Sequence, residues 1–207
     1  MSNEQVFSII MTGLGIAGTL LGTLLAPLFS NKLEKGKAKR ELKPELKKTL
    51  YRFFNTRKSV RIEYNNAALQ KRLAKNIKIE LNAQGFSENE RVKWESELNH
   101  VNEAYEKRSL AGKEVFYKCF ELESDLYALV GKIKGLYGDK KYKQIDKLVM
   151  PHLDKVNKDN FLYNYNEILK SECDRLKDEL DIEIAKSTLS LDEDFKALVT
   201  KIDSILK

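Results

Sequence analysis

One uncharged segment near the start of the chain constrains its fold more than any other feature. Residues 6–29 contain no ionisable side chain over 24 consecutive positions. As an α-helix this segment would extend roughly 36 Å, which exceeds the hydrocarbon thickness of about 30 Å in a bilayer. A soluble core helix of this length would carry a polar stripe, whereas this one offers only Ser and Thr hydroxyls, which bond to their own helix in lipid. The sequence therefore predicts a transmembrane helix within residues 1–30.

Other interpretations of this segment remain open. A cleaved signal peptide normally has Lys or Arg before its apolar part and a small-residue cleavage site after it. Neither feature is present around residues 6–29. A re-entrant or surface-lying helix and a helix buried inside a soluble oligomer are the remaining alternatives to a membrane span.

Positive charge is concentrated directly after the apolar segment. Residues 31–61 hold twelve Lys or Arg and three Glu, whereas the whole chain has a net charge of +6. Because no Lys or Arg precedes the segment, the positive-inside rule predicts an external N-terminus and a cytoplasmic body. Residues 31–48 form a basic juxtamembrane neck, where we expect eight cations to contact anionic lipid. These are Lys32, Lys35, Lys37, Lys39, Arg40, Lys43, Lys47 and Lys48.

Small residues are frequent within the predicted span. Such residues at four-residue spacing let helix backbones approach closely, so we expect the spans of several copies to self-associate. The residues expected at this contact are Gly13, Gly15, Gly18, Thr19 and Gly22. One helix cannot enclose a channel, so a pore would need several copies.

The remaining residues, 49–207, predict a helical cytoplasmic domain. Apolar residues recur at three- and four-residue spacing, and the most regular run is Val115, Cys119, Leu122, Leu126, Leu129, Ile133 and Leu136. Ser87 and Glu90 match a capping box. We expect bends or boundaries at Gly36, Pro44, 55–66, Gly85, 109–113, Gly138 and Pro151, and helix starts near 159 and 192. The predicted fold class is all-α, with a transmembrane helix followed by an antiparallel bundle of four to six helices.

Motifs for catalysis or cofactor binding are scarce. Neither histidine has a partner at helical spacing that predicts a metal site. The residues Gly13-x-Gly15-x-x-Gly18 match the sequence of a dinucleotide-binding motif, but they lie in the apolar segment, where no βαβ unit is expected. Cys119 and Cys173 lie in apolar helical patterns, so we expect small buried side chains in a reducing compartment. The sequence predicts no cofactor and no metal.

Two features raise the question of nucleic acid. Aromatic and basic residues alternate from Tyr51 to Arg61, which suits single strands, but Phe53 and Phe54 also have the spacing of a core face. Ribonucleases of the HEPN class place an Arg and a His about one turn apart on a helix. The nearest pair here, Arg91 and His100, is separated by eight residues. A nucleic-acid partner is therefore not expected.

The layout of one N-terminal span, a basic neck and a small helical cytoplasmic body resembles the membrane effectors and accessory proteins of bacterial antiphage systems. In outline it is similar to the accessory membrane pore of type VI-B CRISPR loci. The resemblance implies a homo-oligomeric pore that depolarises the bacterial inner membrane. Two alternatives remain: a membrane-anchored adaptor whose body binds a cytosolic protein or nucleotide ligand, and a degenerate HEPN-like ribonuclease.

Overall fold

The computed structural model describes the backbone of residues 3–83, 85–158 and 176–207, and the side chains of 30–82, 85–153, 185–186 and 188–207. These residues form four helices and no strand, which confirms the predicted all-α class. The helices are α1 (Asn3–Ala83), α2 (Glu88–Tyr137), α3 (Asp139–Lys158) and α4 (Leu176–Ile205). The chain divides into two units, Met1–Pro44 and Glu45–Lys207.

α1 has none of the boundaries expected inside it. Its helical backbone includes Gly36, Pro44 and the whole polar stretch 55–66, so the helix break expected at 55–66 is wrong, whereas a bend at these positions stays a prediction. The stretch stays helical because Arg57 and Val60 continue the buried spacing that begins at Phe53. A charged side chain therefore occupies a position that an apolar side chain would normally fill.

α2 is likewise longer than expected, because the boundary predicted at 109–113 is absent. Gly112 lies against the ring of Tyr64 on α1, and an added Cβ would come within 3.4 Å of that ring. Gly112 therefore lies at a contact between two helices and does not end α2. At the start of α2 the Glu90 carboxylate accepts hydrogen bonds from the N–H and hydroxyl of Ser87 at 3.0 and 2.6 Å. The predicted capping box is thereby confirmed.

The remaining boundaries give a mixed result. Gly138 separates α2 from α3 with φ of +86°, a conformation that favours glycine, so the predicted turn is confirmed. Pro151 lies inside α3 and does not end it, and α4 already includes Asp192, so both of those predictions are wrong. The helix start expected near 159 lies outside the described residues.

Contacts between side chains fix the direction of neighbouring helices in the unit Glu45–Lys207. Glu63 pairs with Arg108, and Ile77 packs in one cluster with Val101, so α2 runs antiparallel to α1. Lys47 pairs with Asp203 and Lys58 with Asp192, so α4 also runs antiparallel to α1. The regular run on α2 forms part of this core, because its five middle members, Cys119, Leu122, Leu126, Leu129 and Ile133, are all buried.

Candidate functional site

The predicted membrane segment, residues 6–29, and its self-association residues Gly13, Gly15, Gly18, Thr19 and Gly22 lie outside the residues whose side chains the structure describes. Within the described part of the chain, no helix combines the length and apolar character needed to cross a bilayer.

The cations of the neck occupy different environments. Lys32, Lys35, Lys37, Arg40 and Lys48 are exposed. Three others, Lys39, Lys43 and Lys47, are half-buried. Lys47 Nζ donates to Asp203 Oδ2 of α4 at 2.6 Å, so its charge is engaged within the helical body. The accessible positive charge of the neck therefore lies mainly before residue 41.

The aromatic and basic stretch after the neck is divided between core and surface. Phe53, Phe54 and Arg57 are buried at 1% exposure or less, whereas Tyr51 is 55% exposed. The Phe54 ring packs against His152 of α3 and Phe195 of α4 at centroid distances of 5.5 and 5.7 Å. This packing confirms the core-face interpretation, because the two phenylalanine rings are not accessible for base stacking.

Arg57 is the central residue of a buried polar cluster in the helical body. Its guanidinium lies 5.8 Å from the Phe53 ring centroid and 6.0 Å from that of Phe54. Nη1 donates a long hydrogen bond of 3.5 Å to the backbone carbonyl of His152. Glu123 on α2 is also buried, and both Arg57 and Glu123 act electrostatically on the thiol of Cys119. Arg57 and Glu123 thus carry opposite charges near the same buried thiol, so we expect each to lower the cost of burying the other.

The Cys119 thiol in this cluster is not a nucleophile at neutral pH. The pKa of this thiol is raised to about 11, mainly by burial. The nearby guanidinium of Arg57 lowers the pKa by a smaller amount, and the carboxylate of Glu123 raises it further. A thiol with this pKa stays protonated near pH 7 and reacts poorly. The prediction of a small buried side chain is confirmed for Cys119, while Cys173 lies outside the described residues.

The raised pKa predicts a specific loss of stability in alkali. Well below pH 9 the Cys119 thiol is protonated in both folded and unfolded chains, so it leaves the free energy of unfolding unchanged. Between about pH 9 and 11 the unfolded thiol ionises first, and the free energy of unfolding should fall by up to about 2 kcal/mol. The free energy of unfolding is measured against pH for the original protein and for Cys119→Ala. The difference between the two curves removes the contribution of all other titrating groups. Parallel curves for the two proteins over this range would contradict the assignment.

A charged groove runs between α1 and α2 beside this cluster. One cleft of about 350 Å³ lies between Arg52 and Thr56 on α1 and Lys118 and Glu121 on α2. A second cleft of about 290 Å³ adjoins it, and the two share Arg52 and Asp125. The charged residues along both clefts are Lys48, Arg52, Lys118 and Lys132, together with Glu45, Glu121 and Asp125.

The groove is small and lined mainly by charged and polar side chains. Each cleft is near the lower end of the volumes found for small-ligand sites, about 300–1,000 Å³. Basic and acidic residues both line it. No group of three His, Cys, Asp or Glu residues among those described is arranged to hold a metal ion.

Arg91 and His100 are not brought together. Both are exposed on α2, and nine residues of helical rise separate them by about 13 Å. The Arg91 guanidinium instead pairs with Glu95 on the next turn, with Nε to Oε1 at 3.1 Å. The structure therefore places no His beside this arginine on the helix.

Sequence reasoning missed both the Arg57 cluster and the groove. Arg57 had a readable signal, because it occupies the next position in the apolar spacing of Leu46, Leu50 and Phe53. The groove had none, since its residues become neighbours only through the register of α1 against α2. Comparison with protein-family models, curated proteins and solved structures finds no match to this chain.

Proposed function

We propose that this chain is a homo-oligomeric membrane protein that forms a pore or otherwise perturbs the bilayer. The observation that carries the proposal is the 24-residue segment without ionisable groups, 6–29, followed at once by a basic neck. In this proposal the segment crosses the membrane and the helical body holds the copies together in the cytoplasm. Depolarisation of a bacterial inner membrane in antiphage defence is the setting that the architectural resemblance implies.

Exposure of the neck cations supports contact with anionic lipid. Lys32, Lys35, Lys37 and Arg40 are exposed and follow the apolar segment within eleven residues. A cation near an anionic membrane surface contributes about 1 kcal/mol before salt screening, so four contribute about 4 kcal/mol. The same charges favour the cytoplasmic side for the body.

A leakage experiment tests the proposed activity. Full-length protein is reconstituted into liposomes that contain anionic lipid and a trapped dye, and dye release is recorded. We expect release that depends on protein concentration, because several spans are needed to enclose a conduit. Replacing residues 6–29 with a polyleucine span of equal length should keep the protein in the membrane but abolish release. The proposal would be contradicted if the liposomes kept their dye and the detergent-solubilised protein had the molecular mass of a monomer.

A second candidate function is a membrane-anchored adaptor, and the charged groove between α1 and α2 favours it. Arg52 and Asp125 are shared by both clefts and would contact a ligand or a charged segment of a cytosolic partner. In this case the span is only an anchor. The polyleucine replacement distinguishes the two functions, because an adaptor would keep its cellular activity whereas a conduit would lose it.

A further inference from the structure

Helix α3 carries its apolar and its basic residues on opposite faces. The side chains on its buried face are Ile145, Val149 and Leu153. Three lysines follow one another at spacings of three and four residues, which places them together on the opposite side of the helix. We call Lys140, Lys143 and Lys147 the α3 lysine face, and all three side chains are exposed.

The fold gives these three lysines no partner. None of them makes an ion pair or a hydrogen bond with any part of the chain that the structure describes. Two neighbouring lysines differ, since Lys141 Nζ donates to the Lys207 backbone oxygen at 3.0 Å and Lys134 pairs with Asp139 at 3.6 Å. Lys140 also lies in the first turn of α3, where the helix dipole disfavours a cation. Internal stability therefore does not explain the α3 lysine face.

The α3 lysine face begins at the end of the helical body where α1 enters it. Lys48 on α1 and Lys132 near the end of α2 line the same cleft, so the turn at Gly138 lies close to the first residues of this unit. His152, further along α3, packs against Phe54 of α1, so α3 runs parallel to α1. The face covers only about 10 Å of helical rise from its first lysine to its last.

Positive charge is concentrated at this same end of the body. Residues 131–147 hold six Lys and two Asp, which gives a net charge of +4. The opposite end, residues 71–97 around the link from α1 to α2, holds six Lys or Arg and five Glu, which gives +1. The end of the body that follows the basic neck is therefore the end whose charge complements an anionic surface.

We propose that the α3 lysine face is a second contact with anionic lipid and holds the helical body against the bilayer surface. The inference rests on the membrane anchor of the proposed function, in which Lys32 and Arg40 both contact lipid. The chain then reaches the body, which begins at Glu45, within five residues of the membrane surface. Exposed cations at this end can enter the negative potential of the leaflet, which falls off within a Debye length of about 8 Å.

Single-stranded nucleic acid is another polyanion that lysines attract, but its binding sites normally include exposed rings on which bases stack. The rings nearest to the face in sequence, Tyr137 and Tyr142, are half-buried. Each already lies beside a lysine, with Lys141 Nζ 5.4 Å from the Tyr137 centroid and Lys134 Nζ 6.0 Å from the Tyr142 centroid. The surroundings of the face therefore favour a lipid surface.

Energy transfer between α3 and the lipid headgroups tests the proposal. Full-length protein in a Cys119→Ala, Cys173→Ala background carries a donor dye at Gln144→Cys, an exposed position on α3. It is reconstituted into liposomes that contain a headgroup-labelled acceptor lipid. One set of liposomes is phosphatidylcholine alone, and the other also contains phosphatidylglycerol. We expect more transfer in the anionic liposomes and a return to the neutral value at high salt, because salt screens the attraction.

Neutralising the α3 lysine face should remove this response to lipid charge. The triple variant Lys140→Gln, Lys143→Gln, Lys147→Gln keeps polar side chains at exposed positions, and circular dichroism checks its helicity. Each cation near an anionic surface favours the bound state roughly fivefold, so the ratio of bound to detached bodies should fall about 100-fold.

The matched control changes three exposed lysines at the opposite end of the body. Lys75→Gln, Lys78→Gln, Lys93→Gln alters the net charge of the chain by the same amount. This variant should keep the full response to anionic lipid, because its lysines lie far from the neck end of the unit.

Three results would overturn the inference: transfer that does not depend on lipid charge, an equal loss of the response in both triple variants, or binding of single-stranded RNA to the face in place of lipid. Failure of the proposed conduit has a different signature. Liposomes that keep their dye, with transfer that still depends on the α3 lysine face, would retain this inference and reject the conduit. Leaky liposomes in which transfer ignores lipid charge would do the reverse.

Discussion

Replacing Arg57 with methionine is expected to lower the free energy of unfolding by about 3 to 5 kcal/mol. Arg57 is 1% exposed, and its guanidinium lies among Phe53, Phe54 and the carbonyl of His152. Methionine fills much of the volume, but the buried Glu123 then loses the compensating positive charge. An uncompensated buried charge is among the most destabilising changes known in proteins.

The compensating double variant separates charge from packing. Arg57→Met with Glu123→Leu removes both charges, and we expect stability close to the original or above it, since buried ion pairs often contribute less than apolar packing. Urea unfolding of the full chain in mild detergent can be followed by Trp94, the single tryptophan. Arg91→Met, an exposed arginine paired only along its helix, is the matched control and should change stability by less than about 0.5 kcal/mol. If the double variant were as unstable as Arg57→Met, the loss of stability could not be attributed to an uncompensated charge on Glu123.

Two arginines in the apolar segment are expected to release the chain from membranes. Each arginine at the centre of a membrane helix costs about 2.5 to 3.5 kcal/mol on insertion scales, so Leu20→Arg with Leu21→Arg costs about 5 to 7 kcal/mol. The double variant should therefore leave the membrane fraction, as sedimentation and immunoblotting would record.

The matched control for this experiment is Leu33→Arg. Leu33 follows the apolar segment and is 71% exposed, so the same change of residue type leaves the proposed span intact. We expect this variant to remain in the membrane fraction. Equal retention of the Leu20/Leu21 double variant would mean that the segment does not cross the bilayer.

Features encoded by neighbouring residues could be predicted from the sequence. The buried run Cys119–Ile133 on α2 follows directly from its helical spacing, and the Ser87–Glu90 capping box depends on residues three apart. Gly138 was predictable as a turn because a glycine and an aspartate follow the last apolar position. In each case the interaction that fixes the structure is local.

Features that depend on tertiary contacts could not be predicted. The stretch 55–66 looks like a break because it is polar, yet Arg57 stays helical through partners on α2 and α3. Gly112 resembles a helix end until Tyr64 is found against it. Arg52 and Asp125 line the same groove only through the register of two helices, which no local pattern specifies.

The most direct test of the account is flotation of the full-length protein with liposomes after an alkaline carbonate wash, which strips proteins held only by surface charge. We expect the protein to float with the lipid and to need detergent for extraction. A protein that stays at the bottom of the gradient, dispersed in buffer without detergent, would contradict the membrane anchor and the conduit that depends on it.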